Sequence, residues 1–417
     1  MADGITRIAV EGFKSISKKQ SIDIAPLTIL AGANNSGKSS IMQPLLMLKQ
    51  TLEAPYDPGP LKIDGPNVQF RSADQFLSRK RNGHSQILWL ALSSADRSTG
   101  ITFSKTSKSE IEIAEEWFRS GETELVISPE MGERQLRPIV RFLYRNGTLP
   151  DATWSVERDR FFLFAINRAS SPPMTYSIMH WVEPFLRGLI HVPGVRGNPE
   201  RTYPGPALGS SFPATFQYYV ASVIELWQSR KSEEALDVDW DLRRVGLAHR
   251  VVAQRLNDAK IDLFVNRLER SDSDDLVSVA DVGLGISHLL PVLAALRAAA
   301  PGQIVYVEQP EIHLHPRAQV KLADILANAA KRGVRVVAET HSSLLLRAIQ
   351  TLVAKGKLDS DSVRLHWFSR NKAGVTQIKS VVPDENGAFG DWPEDFGDVA
   401  LQSEQDYLDA VESRVSR

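Results

Sequence analysis

Apolar positions along this chain fall into two rhythms. Short unbroken runs occur at Leu27-Thr28-Ile29-Leu30, Ile304-Val305-Tyr306-Val307 and Val334-Arg335-Val336-Val337-Ala338. Runs of this length, bounded by polar or glycine residues, predict short buried strands. Looser runs at Arg364-Leu365-His366-Trp367-Phe368 and Thr376-Gln377-Ile378-Lys379-Ser380-Val381-Val382 predict one or two more. Helical spacing follows the first run, in the amphipathic stretch Ser40–Lys49, and it returns across about 316–331 and around Phe216–Trp227. Alternation at Thr123-Glu124-Leu125-Val126-Ile127 and Ile139-Val140-Arg141-Phe142-Leu143-Tyr144 suggests further strands, and a terminal helix is expected near the end.

The first strand runs into Gly32-Ala33-Asn34-Asn35-Ser36-Gly37-Lys38-Ser39, which has the form G-x-x-x-x-G-K-S, and then into the predicted helix. Strand, glycine loop and helix is the context in which this pattern is a phosphate-binding P-loop. Gly32 and Gly37 let the backbone wrap an anion, toward which free N–H groups of the loop and helix start point. Lys38 would bridge terminal phosphates and the Ser39 hydroxyl would ligate Mg²⁺. The second run ends in Glu308-Gln309-Pro310-Glu311-Ile312-His313-Leu314-His315-Pro316. An apolar strand ending in a carboxylate is the Walker B arrangement, which sets a negative charge beside that metal. The third run ends in Glu339-Thr340-His341-Ser342, where a histidine can reach a γ-phosphate or the attacking water.

Composition changes this picture little. Charged residues make up 24% and apolar ones 42% of 417 residues, ordinary for a soluble globular protein. A formal net charge of −1 advertises no nucleic-acid surface, so any DNA contact would need a local basic patch. With no cysteine there is no disulfide scaffold, thiol nucleophile or cysteine zinc site. The N-terminus lacks signal-peptide organisation and no apolar run approaches a membrane span. A cytoplasmic protein without a membrane contact is the expectation.

Taken together, these motifs resemble the ABC-type ATPase heads, and within them the RecF, SMC and overcoming-lysogenisation-defect (OLD) branch, often described as AAA-family ATPases. The opening Ile8-Ala9-Val10-Glu11-Gly12-Phe13-Lys14-Ser15-Ile16 resembles that branch's F-K-S loop near the nucleotide. Ala280-Asp281-Val282-Gly283-Leu284-Gly285-Ile286-Ser287 occupies the place of the signature turn, which in this branch caps the γ-phosphate held by the opposite protomer. His191-Val192-Pro193-Gly194-Val195-Arg196-Gly197-Asn198-Pro199-Glu200-Arg201-Thr202-Tyr203 and Gly387–Phe396, with its D-W-P, resemble segments of one compact subgroup.

The resemblance implies an α/β P-loop NTPase with an ABC-type head and an inserted mixed, partly helical lobe. Residues 1–145 and 266–417 would form the head and residues 146–265 the lobe. It implies ATP and Mg²⁺ as cofactors. Gly32, Asn34, Asn35, Ser36, Gly37, Lys38, Ser39 and Ser40 would surround the nucleotide, with Gly283, Gly285 and Ser287 facing it from a partner. Ser39 and Glu308 would serve the metal, and Gln309, Glu311 and His341 the chemistry. A homodimer or higher homo-oligomer would act with a separate effector protein, for instance a nuclease, and DNA stays open as a partner. Proteins of this kind often occur in anti-phage systems. The leading reading is an ATP-driven sensor or regulator of that effector. The alternatives are an ATP-locked scaffold that hydrolyses little and a RecF-like DNA-repair clamp.

One departure bears on the chemistry. The usual D-E-P-E of this Walker B reads Glu308-Gln309-Pro310-Glu311. Glutamate can replace aspartate near a metal, but glutamine cannot act as a general base. Either Glu311 or Glu339, supported by His341, takes the base role in a slow ATPase, or the site works as an ATP-held clamp. E-Q-P-E also occurs within the compact subgroup.

Some 245 residues separate Lys38 from Gly283, without the heptads of a coiled coil. Proline and glycine turns, strands and a helical part over 150–260 predict a compact lobe. Gln69 and Gln75 are both candidates for a Mg²⁺-sensing glutamine. The basic run Ser78–His84 reads as a solvated loop before a phosphate contact, and Arg196 and Arg201 suit salt bridges and anions equally. The 76 residues after His341 leave no room for a fused Toprim nuclease, so a nuclease is expected on a separate chain.

Overall fold

The computed structural model describes residues 4–80, 83–108, 110–144, 153–209, 211–268, 275–390 and 405–412. The apolar runs assemble into one six-stranded sheet. Its strand order is Ile190–Val192, Ile304–Glu308, Arg335–Thr340, Leu27–Gly32, Val363–Arg370 and Thr376–Val381. The first five strands are parallel and the last is antiparallel. Runs without alternation arise because both faces are covered. Leu27, Ile29, Val305, Val307, Val336 and Ala338 join one core with the helices Leu284–Ala298, Pro316–Lys331 and Ser343–Ala354. Leu30, Ile304, Tyr306 and Val337 turn the other way into a second core.

That second core lies under an antiparallel sheet ordered Gln20–Asp23, Arg7–Glu11, Ile87–Ser93, Ser98–Lys105, Ile111–Ser120 and Thr123–Ile127. Between the two sheets runs the helix after the P-loop, Lys38–Leu52, with 13 of its 15 residues buried. The sequence predicts an amphipathic helix here, and the structure corrects that: a helix between two sheets has no solvent face. Its polar residues are buried with partners. Lys49 pairs with Glu53 and donates to the Phe212 carbonyl at 3.2 Å. Gln50 bonds the carbonyls of Lys62 and Val68 and the amides of Asn67 and Val68 (2.7–3.2 Å), fixing the loop that carries Asn67.

A second correction concerns Ile139–Tyr144, which forms the end of a helix, Glu133–Leu143, rather than a strand. Read from 133, the buried positions Leu136, Ile139 and Val140 are spaced as a helix face, and Gln135 accepts from the Gly132 amide to close its start. The helix expected near Phe216 begins as a 3₁₀ turn, Phe216–Tyr219, and continues as Val220–Ser229. Within 146–265 lie a three-stranded sheet (Ser155–Asp159, Phe162–Asn167, Met174–Tyr176), the helix Glu233–Val245 and the antiparallel pair Arg250–Asn257 and Lys260–Asn266. The same segment supplies Ile190–Val192 to the central sheet. Residues 405–412 are helical. The D-W-P residues Asp391, Trp392 and Pro393 lie outside the described residues, as do Arg81 and Asn82 of the basic run.

Gln50→Ala would strand several buried backbone groups of the 62–68 loop. We expect a loss of about 2–3 kcal/mol in urea unfolding; an unchanged midpoint would show that the loop is held by other contacts.

Candidate nucleotide site

At the end of Leu27–Gly32 the chain passes through left-handed conformations at Gly32 (φ 145°), Asn35 (φ 62°) and Gly37 (φ 103°). Both glycines are also sterically required: a Cβ would stand 2.2 Å from the Phe368 carbonyl oxygen at Gly32 and 2.4 Å from Thr376 Oγ1 at Gly37. Among the described residues the amides of Asn34, Asn35 and Gly37 make no hydrogen bond. The buried Ser36 hydroxyl has no partner either. This is a cradle of donors at a helix N-terminus, suited to phosphate oxygens. Lys38 reaches back to the carbonyls of Gly32 (3.0 Å) and Ala33 (2.8 Å). Ser40 is buried in the first turn, where its amide bonds the Gly37 carbonyl at 3.1 Å.

The F-K-S loop is tied to this cradle. The Thr376 hydroxyl bridges the Ser15 hydroxyl and the Ser36 carbonyl, each at 2.8 Å. Lys14 (φ 46°) donates to Gln43 Oε1 at 2.7 Å. A cleft of about 670 Å³ opens beside the loop, lined by Lys14, Ser15, Gln75, Arg79, His84 and Arg370. Arg370 in turn reaches Asn35 Oδ1 at 3.2 Å.

Of three glutamates at the neighbouring strand ends, Glu339 contacts Lys38 and Ser39, and Glu311 acts on Lys38. Glu339 Oε2 accepts from Ser39 Oγ at 2.8 Å and from the Tyr306 hydroxyl at 3.0 Å, while Lys38 Nζ stands 4.0 Å from Oε1. Glu308, one strand farther away, is held by His191 Nε2 (3.2 Å) and the Gly194 amide (3.1 Å). His191 stacks on Tyr306 and sets its Nδ1 3.1 Å from Asn67 Oδ1. Glu311 accepts on Oε1 from the Thr340 hydroxyl (2.8 Å) and the His341 amide (2.9 Å), leaving its buried Oε2 unpartnered. The T-H-S triplet thus divides its work. Thr340 fixes Glu311, and Ser342 caps the helix Ser343–Ala354 through the Leu345 amide. The His341 ring is left near Lys38. Gln309 has a left-handed backbone (φ 45°) and spends its amide on the Glu339 carbonyl at 2.8 Å.

The environments drive the two Walker-side carboxyls apart. Burial pushes Glu308 up, but the bonds from His191 and Gly194 outweigh it and hold its carboxyl below the usual range. Burial, and then repulsion from Glu308, raise Glu339, against the opposing pull of Ser39 and Lys38. Burial lowers Lys38, with Glu339 and Glu311 opposing, and burial together with Lys38 lowers His341.

Whether the residues fit Mg²⁺ can be tested on this geometry. Cis oxygens of a Mg²⁺ octahedron with bonds of about 2.0–2.1 Å stand about 3 Å apart. Ser39 Oγ and Glu339 Oε2 are spaced at 2.8 Å and are both hard oxygen donors. Among the described residues no cluster of three or more metal-ligating side chains occurs.

The signature-like turn opens the helix Leu284–Ala298 with Gly283 as its cap. Ser287 Oγ bonds the Leu284 carbonyl at 3.0 Å, and a Cβ on Gly285 would approach the His313 carbonyl oxygen at 3.2 Å. Among the described residues no hydrogen bond joins this turn to the P-loop of its own chain. Gln69 and Gln75 are both exposed, and Gln75 accepts from the Arg71 amide at 2.7 Å. Sequence reasoning raised Glu339 only as an alternative base, and it missed Asn67, Tyr306, Thr376 and the grip of His191 on Glu308. A tyrosine in an otherwise aliphatic Walker B strand was the one available signal.

Comparison with known proteins finds two family models and a shared fold. Residues 4–128 match the family model described as "AAA ATPase domain". Residues 198–347 match the one described as "AAA domain, putative AbiEii toxin, Type IV TA system". No curated protein matches the chain. Among solved structures, an SMC head bound to the C-winged helix domain of ScpA aligns with a TM-score of 0.51 at 12% identity, covering 92% of this chain and 98% of that one. The SMC head domain from Thermotoga maritima aligns at 0.42 with 11% identity, over 91% of this chain and 99% of that one. The Pyrococcus furiosus Smc head, bound to the C-terminal domain of ScpA, aligns at 0.46 with 11% identity, over 98% and 99%. The first shares the fold, and the other two carry no further weight. Two segments of the chain thus match AAA ATPase domain models, and its fold is that of a P-loop NTPase. Among the described residues no helix is long and apolar enough to cross a membrane.

The raised carboxyl of Glu339 favours the protonated folded form. Its contribution to stability is full below the ordinary value of 4.5 and is lost as pH rises through the higher folded value. Glu339→Gln should therefore stabilise nucleotide-free protein in EDTA, by a margin that widens with rising pH. Thermal unfolding at several pH values checks this, and a margin that is flat or shrinks would refute it.

Proposed function

We propose that this chain is an ATP-driven switch that binds Mg²⁺·ATP at the P-loop, closes a homodimer around it and thereby controls a separate effector protein. The observation that carries the reading is the bond between Ser39 and Glu339, because it sets a carboxylate where a P-loop serine would share a metal. Bound Mg²⁺ would neutralise charge developing on the transferred phosphoryl group. Ser39 and Glu339 would hold it, with the ionised Glu308 supporting from behind. Lys38 would leave the loop carbonyls for the phosphates, and His341 would hydrogen-bond the terminal one.

Glu311 is then the general base, since its Oε2 is buried, unpartnered and close enough to Lys38 to shift it. Gln309, with its constrained backbone, orients the water without taking its proton. Closure of a dimer is supported by Leu284, in the signature-like turn, and Val195, 39% and 88% exposed. In this reading residues 1–145 and 266–417 make the head, and 146–265 the lobe that passes nucleotide state outward. The matched family whose description includes a toxin and a Type IV TA system supports an effector-linked role, plausible in phage defence. A cytoplasmic setting fits this role.

Steady-state ATP hydrolysis tests the reading. Lys38→Ala should cut turnover by more than about 100-fold, and Glu311→Gln by a similar factor while ATP still binds. Undiminished turnover in Lys38→Ala would sink the assignment, and tight ATP binding without turnover in the wild type would favour the locked scaffold. Stimulation by double-stranded DNA would add nucleic acid as a trigger. Light scattering should show ATP-dependent dimers of Glu311→Gln that Ser287→Arg prevents; dimers that ignore both ATP and Ser287 would refute the closure.

A further inference from the structure

The segment 193–204 is a strap between two parts of the site. Its Gly194 amide holds Glu308 Oε2 at 3.1 Å, and Arg196 Nη2 donates to the Glu308 carbonyl at 2.7 Å. A few residues on, the Arg201 fork grips both oxygens of Asp281, at 2.9 and 2.7 Å, beside the signature-like turn. The strap then enters a small sheet through Thr202–Pro204, paired with Lys260–Asn266. Between strap and helix Leu284–Ala298 lies a cavity of about 320 Å³, with Arg196, Tyr203, Gln217, Leu263, Leu290 and Pro291 in its walls.

Unmade hydrogen bonds mark this cavity. Arg196 is 9% exposed, and its Nε and Nη1 have no partner. Among the described residues no carboxylate lies within ion-pair distance of it, although Glu308 and Glu311 favour its charge from farther away. Burial lowers its guanidinium to about 10, so it is still charged at neutral pH. Gln217 presents an unpartnered carbonyl oxygen, Oε1. Buried donors without an acceptor are costly. Leu263, Leu290, Pro291 and the ring of Tyr203 form an apolar side of the wall, and Asn198, Ser287 and the carboxylate Glu200 complete it. The volume is at the bottom of the range for small-molecule sites, too small for a nucleoside triphosphate.

We propose that this cavity is a second ligand site, for a small organic anion with an apolar body, whose occupancy is transmitted to the Walker B carboxylate. A carboxylate or phosphate would take the free Arg196 donors, an O–H or N–H would meet Gln217, and the body would lie against Tyr203 and Leu290. Because Arg196 Nε and Nη1 and Gln217 Oε1 are all sealed from water, the anion reaches them only as the strap moves outward. That movement acts directly on Gly194 and Arg196, which hold Glu308. Coupling to ATP rests on the ATPase reading above; binding of the anion does not.

The test uses the full chain without nucleotide, titrated with benzoate and phenyl phosphate, and with benzyl alcohol and benzylamine as neutral and cationic controls. Calorimetry should find at least one anion bound tenfold or more tightly than either control, and the ranking of the two anions separates carboxylate from phosphate. Asn198→Trp, at an exposed position lining the cavity, should weaken that binding at least tenfold. Lys38→Ala should leave it unchanged, since an anion lost with Lys38 would be one bound in the P-loop. Equal binding of all four probes, indifference to Asn198→Trp or loss in Lys38→Ala would each overturn the site. A saturating anion should change the affinity for a fluorescent ATP analogue at least threefold in the wild type but not in Asn198→Trp. An unchanged affinity would overturn the coupling alone, and failure of the analogue to bind at all would count against the ATPase reading instead.

Discussion

Three glutamates sit at the ends of two adjacent parallel strands, largely removed from water, and the rest of the molecule is arranged to tolerate them. Glu311 and Glu339 are 9% and 5% exposed. Negative charge at such burial is costly unless donors converge on it. Each carboxylate draws its donors from a different part of the chain. Glu339 takes Ser39 of the P-loop and Tyr306 of the Walker B strand. Glu308 takes His191 and the Gly194 amide, and Glu311 takes Thr340 and the His341 amide. The motifs are therefore interlocked as well as adjacent, and Lys38 is the cation that Glu339 and Glu311 share.

The strand order explains why Glu339 rather than Glu308 meets Ser39. Arg335–Thr340 lies between the P-loop strand and the Walker B strand, so its terminal carboxylate is the nearer one. Glu308 is in register with it and is drawn the other way, toward the Ile190–Val192 edge. The same order gives the glutamine at 309 a setting in which it is tolerable. A hydrolytic site needs one base and one or two metal ligands, and three carboxylates are present without it. Buried between two sheets, the helix Lys38–Leu52 transmits little motion by itself. The 193–204 strap and the F-K-S loop reach the site from outside the central sheet.

Much of the nucleotide half was legible in the chain. The P-loop, the strands at 27–32, 304–308 and 335–340 and the helix over 316–331 are local patterns, set by glycine placement and by apolar runs of fixed length. The reading was weaker where a pattern served two structures. Ile139–Tyr144 alternates over a few residues yet belongs to a helix, because the deciding positions, Leu136 and the Gly132–Gln135 start, lie upstream of the window. The helix after the P-loop looked amphipathic because Lys49 and Gln50 are polar, yet both are buried with partners more than ten residues away.

By itself, then, the sequence determined the local chemistry: a glycine loop between strand and helix, a carboxylate-ended strand, a histidine just past the next strand and the absence of any thiol. Only the tertiary structure decided which carboxylate belongs to which partner. Ser39 and Glu339 are 300 residues apart, and His191 and Glu308 are 117 apart. No local periodicity encodes such pairings, which follow from strand order and from the requirement that each buried charge find a donor.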